Sequence, residues 1–129
     1  MPRERFVPDL MWPGQTKGTG QGDAIDRNAD PEAWLRAAYS DVSLTTQWDD
    51  GQHSGTGKGR TPTCSNSQPS MVFSMLSALD VQVTNRVLEI GTGTGWNAAL
   101  LASGRPGGAG TPPDAYMGSQ SRLPGPHPH

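Results

Sequence analysis

The most regular apolar pattern lies in residues 67–80, "SQPSMVFSMLSALD". Val72, Met75, Leu76 and Leu79 fall at i, i+3, i+4 and i+7, so they share one face of a helix. Pro69 suits the first helical turn. A second helix is expected over residues 31–39. There Asp30 serves as N-cap, Pro31 opens the helix and Glu32 faces its positive end, with Trp34, Leu35 and Ala38 on one side. Residues 42–48, "VSLTTQW", are rich in β-branched residues and predict a short strand or an extended connector. "RVLEI", residues 86–90, reads as a short buried strand because a turn signal follows it at once. Residues 4–12 carry enough apolar side chains to dock on a core but too few to form one. Residues 13–29 and 49–64 read as polar, glycine-rich loops.

The break after "RVLEI" brings in chemistry. Gly91, Gly93 and Gly95 alternate with Thr92 and Thr94 between the expected strand and a helix-forming run, "WNAALLA". Glycine permits a sharp turn and lets a ligand approach the main chain without a Cβ in the way. The dinucleotide pattern G-x-G-x-x-G would need glycine where Trp96 stands, so a nicotinamide-dependent oxidoreductase is disfavoured. "GTGKGRT" in residues 55–61 fails as a phosphate loop, because Gln52 and Gly59 occupy positions that need Gly and Ser or Thr.

The stretch "VLEIGTGTGWNAALLA", with "SQPSMVFSML" upstream, resembles protein-L-isoaspartate O-methyltransferases and their peptide-modifying relatives. "RFVPD" and "AWLRAAY…TTQWDDG" look like the relatives. The resemblance implies the front part of a Rossmann-like class I methyltransferase, an α/β fold with S-adenosyl-L-methionine as cofactor. It implies cofactor-binding roles for Glu89, Gly91, Thr92, Gly93 and Gly95, and a substrate-side role at the active site for Ser67. The implied partner is a protein or peptide carrying isoaspartate or aspartate, and the implied location is cytoplasmic. Ser65 and Asn66 stand where the repair enzymes usually carry Thr-Ile, which bears on the exact substrate.

Composition then sets limits. Among 129 residues, 17 are Gly and 12 are Pro, and 33% are apolar, which is little material for a large core. A net charge of −2 gives no electrostatic case for nucleic acid or an anionic membrane. No apolar stretch reaches membrane length, and the N-terminus lacks the apolar region of a secretory signal. Cys64 is the single cysteine, without a neighbouring His or charge to activate it. His53, His127 and His129 have no ligand partners at metal spacing, so no metal is expected.

Residues 104–129 are rich in Gly and Pro. Asp114 is their one acid, and no apolar strand precedes it. The reading divides the chain into an N-terminal extension (1–66), a partial methyltransferase domain (67–103) and a disordered tail (104–129). It expects an incomplete sheet, truncation after the first cofactor motif through a shifted frame or an early stop, and little or no activity. The alternative from another class is a non-catalytic fragment or small interaction protein with a vestigial cofactor turn.

Overall fold

The computed structural model describes residues 1–15 and 20–103. The expectations for the 104–129 tail lie outside them. The chain forms a mixed α/β structure with four short strands, three α-helices and two single-turn 3-10 helices among the described residues. Strands β1 (Leu10–Pro13), β2 (Ile25–Asp26), β3 (Leu44–Trp48) and β4 (Pro62–Asn66) make one antiparallel sheet in the order β2-β1-β3-β4. Trp12 pairs with Thr45, Leu44 with Asn66 and Trp48 with Pro62, with register irregularities around Gln47. The small antiparallel sheet and three helices are consistent with part of a methyltransferase fold.

Helix α1 (Pro31–Ala38) starts as the sequence predicts. The Asp30 carboxylate accepts a hydrogen bond from the Ala33 N–H at 3.0 Å, and Pro31 occupies the first turn. Its inward face is Trp34, Ala37 and Ala38, at i, i+3 and i+4; Leu35 points outward and is exposed. These residues pack with Val7, Met11, Val42 and Leu44 into the main core. Trp34 lies at its centre, donating its indole N–H to the Pro8 carbonyl at 3.1 Å.

Four further local expectations are corrected. The loop expected over 13–29 yields Pro13 to β1 and Ile25–Asp26 to β2. Residues 4–12 help to form the core as well as dock on it: Met11 is fully buried in β1, the neighbour of the central β3. The loop expected over 49–64 ends early, because residues 62–64 pair with β3. What remains of that loop is tied by Asp49, whose carboxylate accepts from the Arg60 and Thr61 N–H groups at 3.0 and 2.8 Å. Those two bonds, the Arg60 one first, hold the Asp49 carboxyl below its ordinary pKa. Finally, residues 86–90 belong to no strand of the sheet, and Leu88 and Ile90 are exposed. An apolar run becomes a buried strand only where a layer covers it. No described element covers these side chains.

Helix α2 (Pro69–Leu79) occupies the predicted stretch. Of its apolar face only Val72 is buried, while Met75 and Leu79 are exposed. Its first turn is capped from a distance. Asp41 accepts from the Ser70 N–H at 2.8 Å and from the Gln68 side-chain amide at 3.3 Å, whereas Gln68, at the N-cap position, makes no capping bond. The Ser70 bonds, backbone first, hold the Asp41 carboxyl below its ordinary pKa. Helix α3 (Trp96–Ser103) follows the glycine turn.

Candidate functional site

The site grows from the junction of β4 and α2. β4 ends at Asn66, and Ser67 occupies the exposed bend before Pro69 opens α2. The glycine turn rests beside this junction. Gly91, Gly93 and Gly95 all have positive φ, at 73°, 58° and 84°, a conformation that other residues adopt at a cost. The Gly95 N–H closes the turn on the Thr92 carbonyl at 3.0 Å, and the Gly95 carbonyl accepts from Ala99 to begin α3. A Cβ on Gly93 would lie 3.4 Å from Cys64 Sγ, so the turn runs close against β4. A Cβ on Gly91 would meet nothing within 4 Å, which leaves that side of the turn open to a ligand.

Asn66 joins the two halves. It is buried, and its Nδ2 donates to Thr94 Oγ1 at 3.0 Å while its Oδ1 accepts from Arg3 Nε at 2.8 Å. Arg3 is 3% exposed, with its guanidinium donating to the carbonyls of Ala38, Ser40, Val42, Asn66 and Ser67. The planar fork of arginine suits such a cluster of acceptors. Burial pushes the Arg3 pKa down to about 10, opposed by the Asp41 carboxylate, so the group stays charged at neutral pH. Arg3 also lies 5.5 Å from the centre of the Trp96 ring, and Trp96 donates its indole N–H to the Met1 carbonyl at 3.2 Å. The N-terminal turn thus clamps the start of α3, the glycine turn and the Ser67 bend together.

Glu89 is half-buried just before the turn. Its Oε1 accepts from Asn97 Nδ2 at 2.7 Å, which fixes the carboxylate, and its Oε2 is buried without a hydrogen-bond partner among the described residues. A buried carboxylate oxygen without a donor calls for one. An ammonium group is the fitting chemistry, so the donor set here fits a cofactor with a cationic amino-acid end.

The structure therefore brings Ser67 to the glycine turn through Asn66 and sets Glu89 on the α3 side of that turn. Sequence reasoning missed Arg3, Asp41, Asn66, Thr94 and Asn97 as supports. "SN" before Ser67 stood out as a departure, but nothing local marked Asn66 as a link, and nothing marked Arg3 within "PRERF". Among the described residues, no group of three or more His, Cys, Asp or Glu could hold a metal. Nor is any described helix long and apolar enough to cross a membrane.

The family model described as protein-L-isoaspartate(D-aspartate) O-methyltransferase matches residues 23–104. A protein-L-isoaspartate O-methyltransferase of Methanothermobacter thermautotrophicus is 36% identical over 104 residues, which cover 78% of this chain and 42% of the relative. The enzyme of the same name from Proteus mirabilis is 39% identical over 72 residues, 56% of this chain and 28% of the relative. That of Methanocella arvoryzae is 58% identical over 36 residues, 28% of this chain and 19% of the relative. The chain thus spans less than half the length of each of these relatives. No solved structure matches it.

Proposed function

From the premise that the chain belongs to the protein-L-isoaspartate(D-aspartate) O-methyltransferase family, we propose that it carries the cofactor turn and a substrate-positioning bend of a carboxylate O-methyltransferase. S-adenosyl-L-methionine, when bound, supplies a methyl group activated by its sulfonium. The free oxygen of Glu89 takes the cofactor's ammonium, and the open side of Gly91 admits it next to the main chain. Ser67 places the substrate carboxylate, the free carboxyl group of an isoaspartyl or aspartyl residue in a protein or peptide. That carboxylate is ionised at neutral pH and already nucleophilic, so the residues align rather than deprotonate it.

The observation that supports this reading most is the Asn66–Thr94 hydrogen bond, which ties the Ser67 bend to the glycine turn across 28 residues of sequence. The test is calorimetric titration of the chain with S-adenosylmethionine. Saturable binding that weakens about tenfold in Glu89→Gln, with an unchanged unfolding transition, supports it; one charge-assisted hydrogen bond carries such a factor. Wild-type chain that takes up no cofactor removes the reading for this chain.

A second reading has its own observation. Met71, Phe73, Met75 and Leu79 of α2 are all more than half exposed, as are Val83, Leu88 and Ile90. An apolar surface of this extent marks an interaction face. Under that reading the cofactor titration is silent, and the chain self-associates or captures a partner through α2.

A further inference from the structure

Between β1, the second half of β3 and the loop that follows it lies a cavity of about 320 Å³. Three rings wall it. Trp12 and Trp48 meet edge to face with centroids 5.8 Å apart, and His53 meets Trp12 at 6.5 Å. Pro8 and Leu10 add apolar surface, and no Asp, Glu, Lys or Arg lines it among the described residues. Its volume sits at the lower end of the roughly 300–1,000 Å³ typical of ligand pockets.

Two features mark the cavity as built rather than incidental. Trp48 is 5% exposed, and its indole Nε1 is buried with no hydrogen-bond partner among the described residues. Indole N–H groups find an acceptor when buried, so an orphan donor on a residue that lines the cavity is unusual. The loop over it is also held in a costly shape. Asp49 and Asp50 have φ of 50° and 54°, in the left-handed region, and the loop is fixed by the Trp12 indole donating to the Thr56 carbonyl at 3.2 Å. His53 Nε2 bonds the Gly57 carbonyl at 2.7 Å. Strain maintained against such cost clusters at binding sites.

We propose that this cavity is a peptide-anchoring subsite that takes a large aliphatic residue of the substrate together with a backbone carbonyl. Apolar walls take the side chain, and the carbonyl oxygen meets the Trp48 indole once the 51–55 loop reseats around it. The lack of charged lining argues against an acidic or basic residue there, and an unpaired donor argues against a purely hydrocarbon guest. This deepens the function proposed above and rests on its peptide substrate. Leu44 pairs with Asn66 and Trp48 with Pro62, so the Trp48 wall of the cavity lies four strand residues, about 13 Å at ~3.3 Å per residue, from the end of β4 that leads into Ser67. An extended peptide would carry its anchor about four residues from the methyl acceptor.

The test is a titration of the intact chain, with ¹⁵N-labelled tryptophan, by N-acetyl-L-leucinamide, with N-acetylglycinamide and N-acetyl-L-lysinamide as comparisons. The leucine probe should move the Trp48 and Trp12 indole signals saturably, leave Trp34 still, and bind at least threefold more tightly than either comparison. Trp48→Phe keeps a ring and removes the donor, and should weaken binding about threefold to tenfold. Ser54→Trp adds bulk from an exposed position on the cavity's rim and should abolish it, which gives a second measure if Trp48→Phe disturbs the fold. Absence of saturable shifts in the wild-type chain, or equal binding of all three probes, overturns the proposal. Neither cofactor nor methyl acceptor is present, so this result is independent of the cofactor titration.

Discussion

Residues 1–66 and residues 67–103 share one chain but not one kind of packing. The main core (Val7, Met11, Trp34, Ala37, Ala38, Val42 and Leu44) belongs wholly to the first region. In the second, Val72 and Trp96 are the buried apolar residues, and seven large apolar side chains from Met71 to Ile90 are exposed. The region with the clearest chemical motif is thus the less buried one. The region that reads as loops and short elements carries the sheet. A cofactor turn is a local object, set by glycine spacing within a few residues, so it is legible without its surroundings. A core is assembled from positions far apart in sequence and leaves only a weak local trace.

The sharpest test of this contrast is Trp34→Ala. Removing a 1% exposed indole from the centre of the core should cost about 3–5 kcal/mol, read as a loss of unfolding midpoint in urea. If it costs less than about 1 kcal/mol, the first region is not the stable one, and the comparison collapses.

Arg3→Ala comes next and probes how the regions are joined. It leaves the carbonyls of Ala38, Val42 and Asn66 without their guanidinium donor, and should cost roughly 3 kcal/mol. Arg3→Lys keeps the charge but not the fork, and should recover a minor part of that loss. If the clamp works as drawn, the amide signals of Gly93 and Thr94 shift in both variants, because Asn66 carries the connection to the turn.

Much of the site's outline was legible and most of its support was not. Asp30 and Pro31 announced α1 because a cap acts within three residues. Pro69 and the apolar spacing announced α2, and the alternating glycines announced a turn with three positive φ angles. By contrast, Asp41 caps α2 from 29 residues away, and Arg3 reaches Ser67 across 64. No periodicity encodes such partners. "RVLEI" failed as a buried strand for the same reason, since burial depends on a covering layer rather than on the run itself.

Acid should separate the regions more gently. The carboxyls of Asp41 and Asp49 are held below their ordinary value of 3.8 by backbone N–H groups of Ser70 and of Arg60 and Thr61. Below that value the unfolded chain binds more protons than the folded one, so stability rises with pH across the window. The stabilisation is complete above the ordinary carboxylate range and is lost as pH falls through the lowered folded values. Melting temperature followed from pH 6 to about pH 2.5 should therefore fall, and Asp49→Asn should flatten part of the fall by removing a titrating group from the sheet's hairpin. Asp41→Asn should flatten another part, and should also loosen the first turn of α2. An unchanged profile in both variants would mean that neither carboxylate is held as the geometry has it.

The smallest expected effect is the most telling about the second region. Met75 is 61% exposed and Leu79 58% exposed, although both lie on the face that the spacing marks as apolar. If that face is uncovered in solution, Met75→Ser and Leu79→Ser change the unfolding free energy by no more than about 0.5 kcal/mol, the usual range for surface positions. They should also raise solubility by shrinking an exposed apolar patch. A cost of 2 kcal/mol or more, in the range of a core truncation, would mean that the face is covered, by another copy or from within the same chain. The concentration dependence of the cost then separates the sources: a face covered by a second copy loses its protection on dilution, and one covered within the same chain does not.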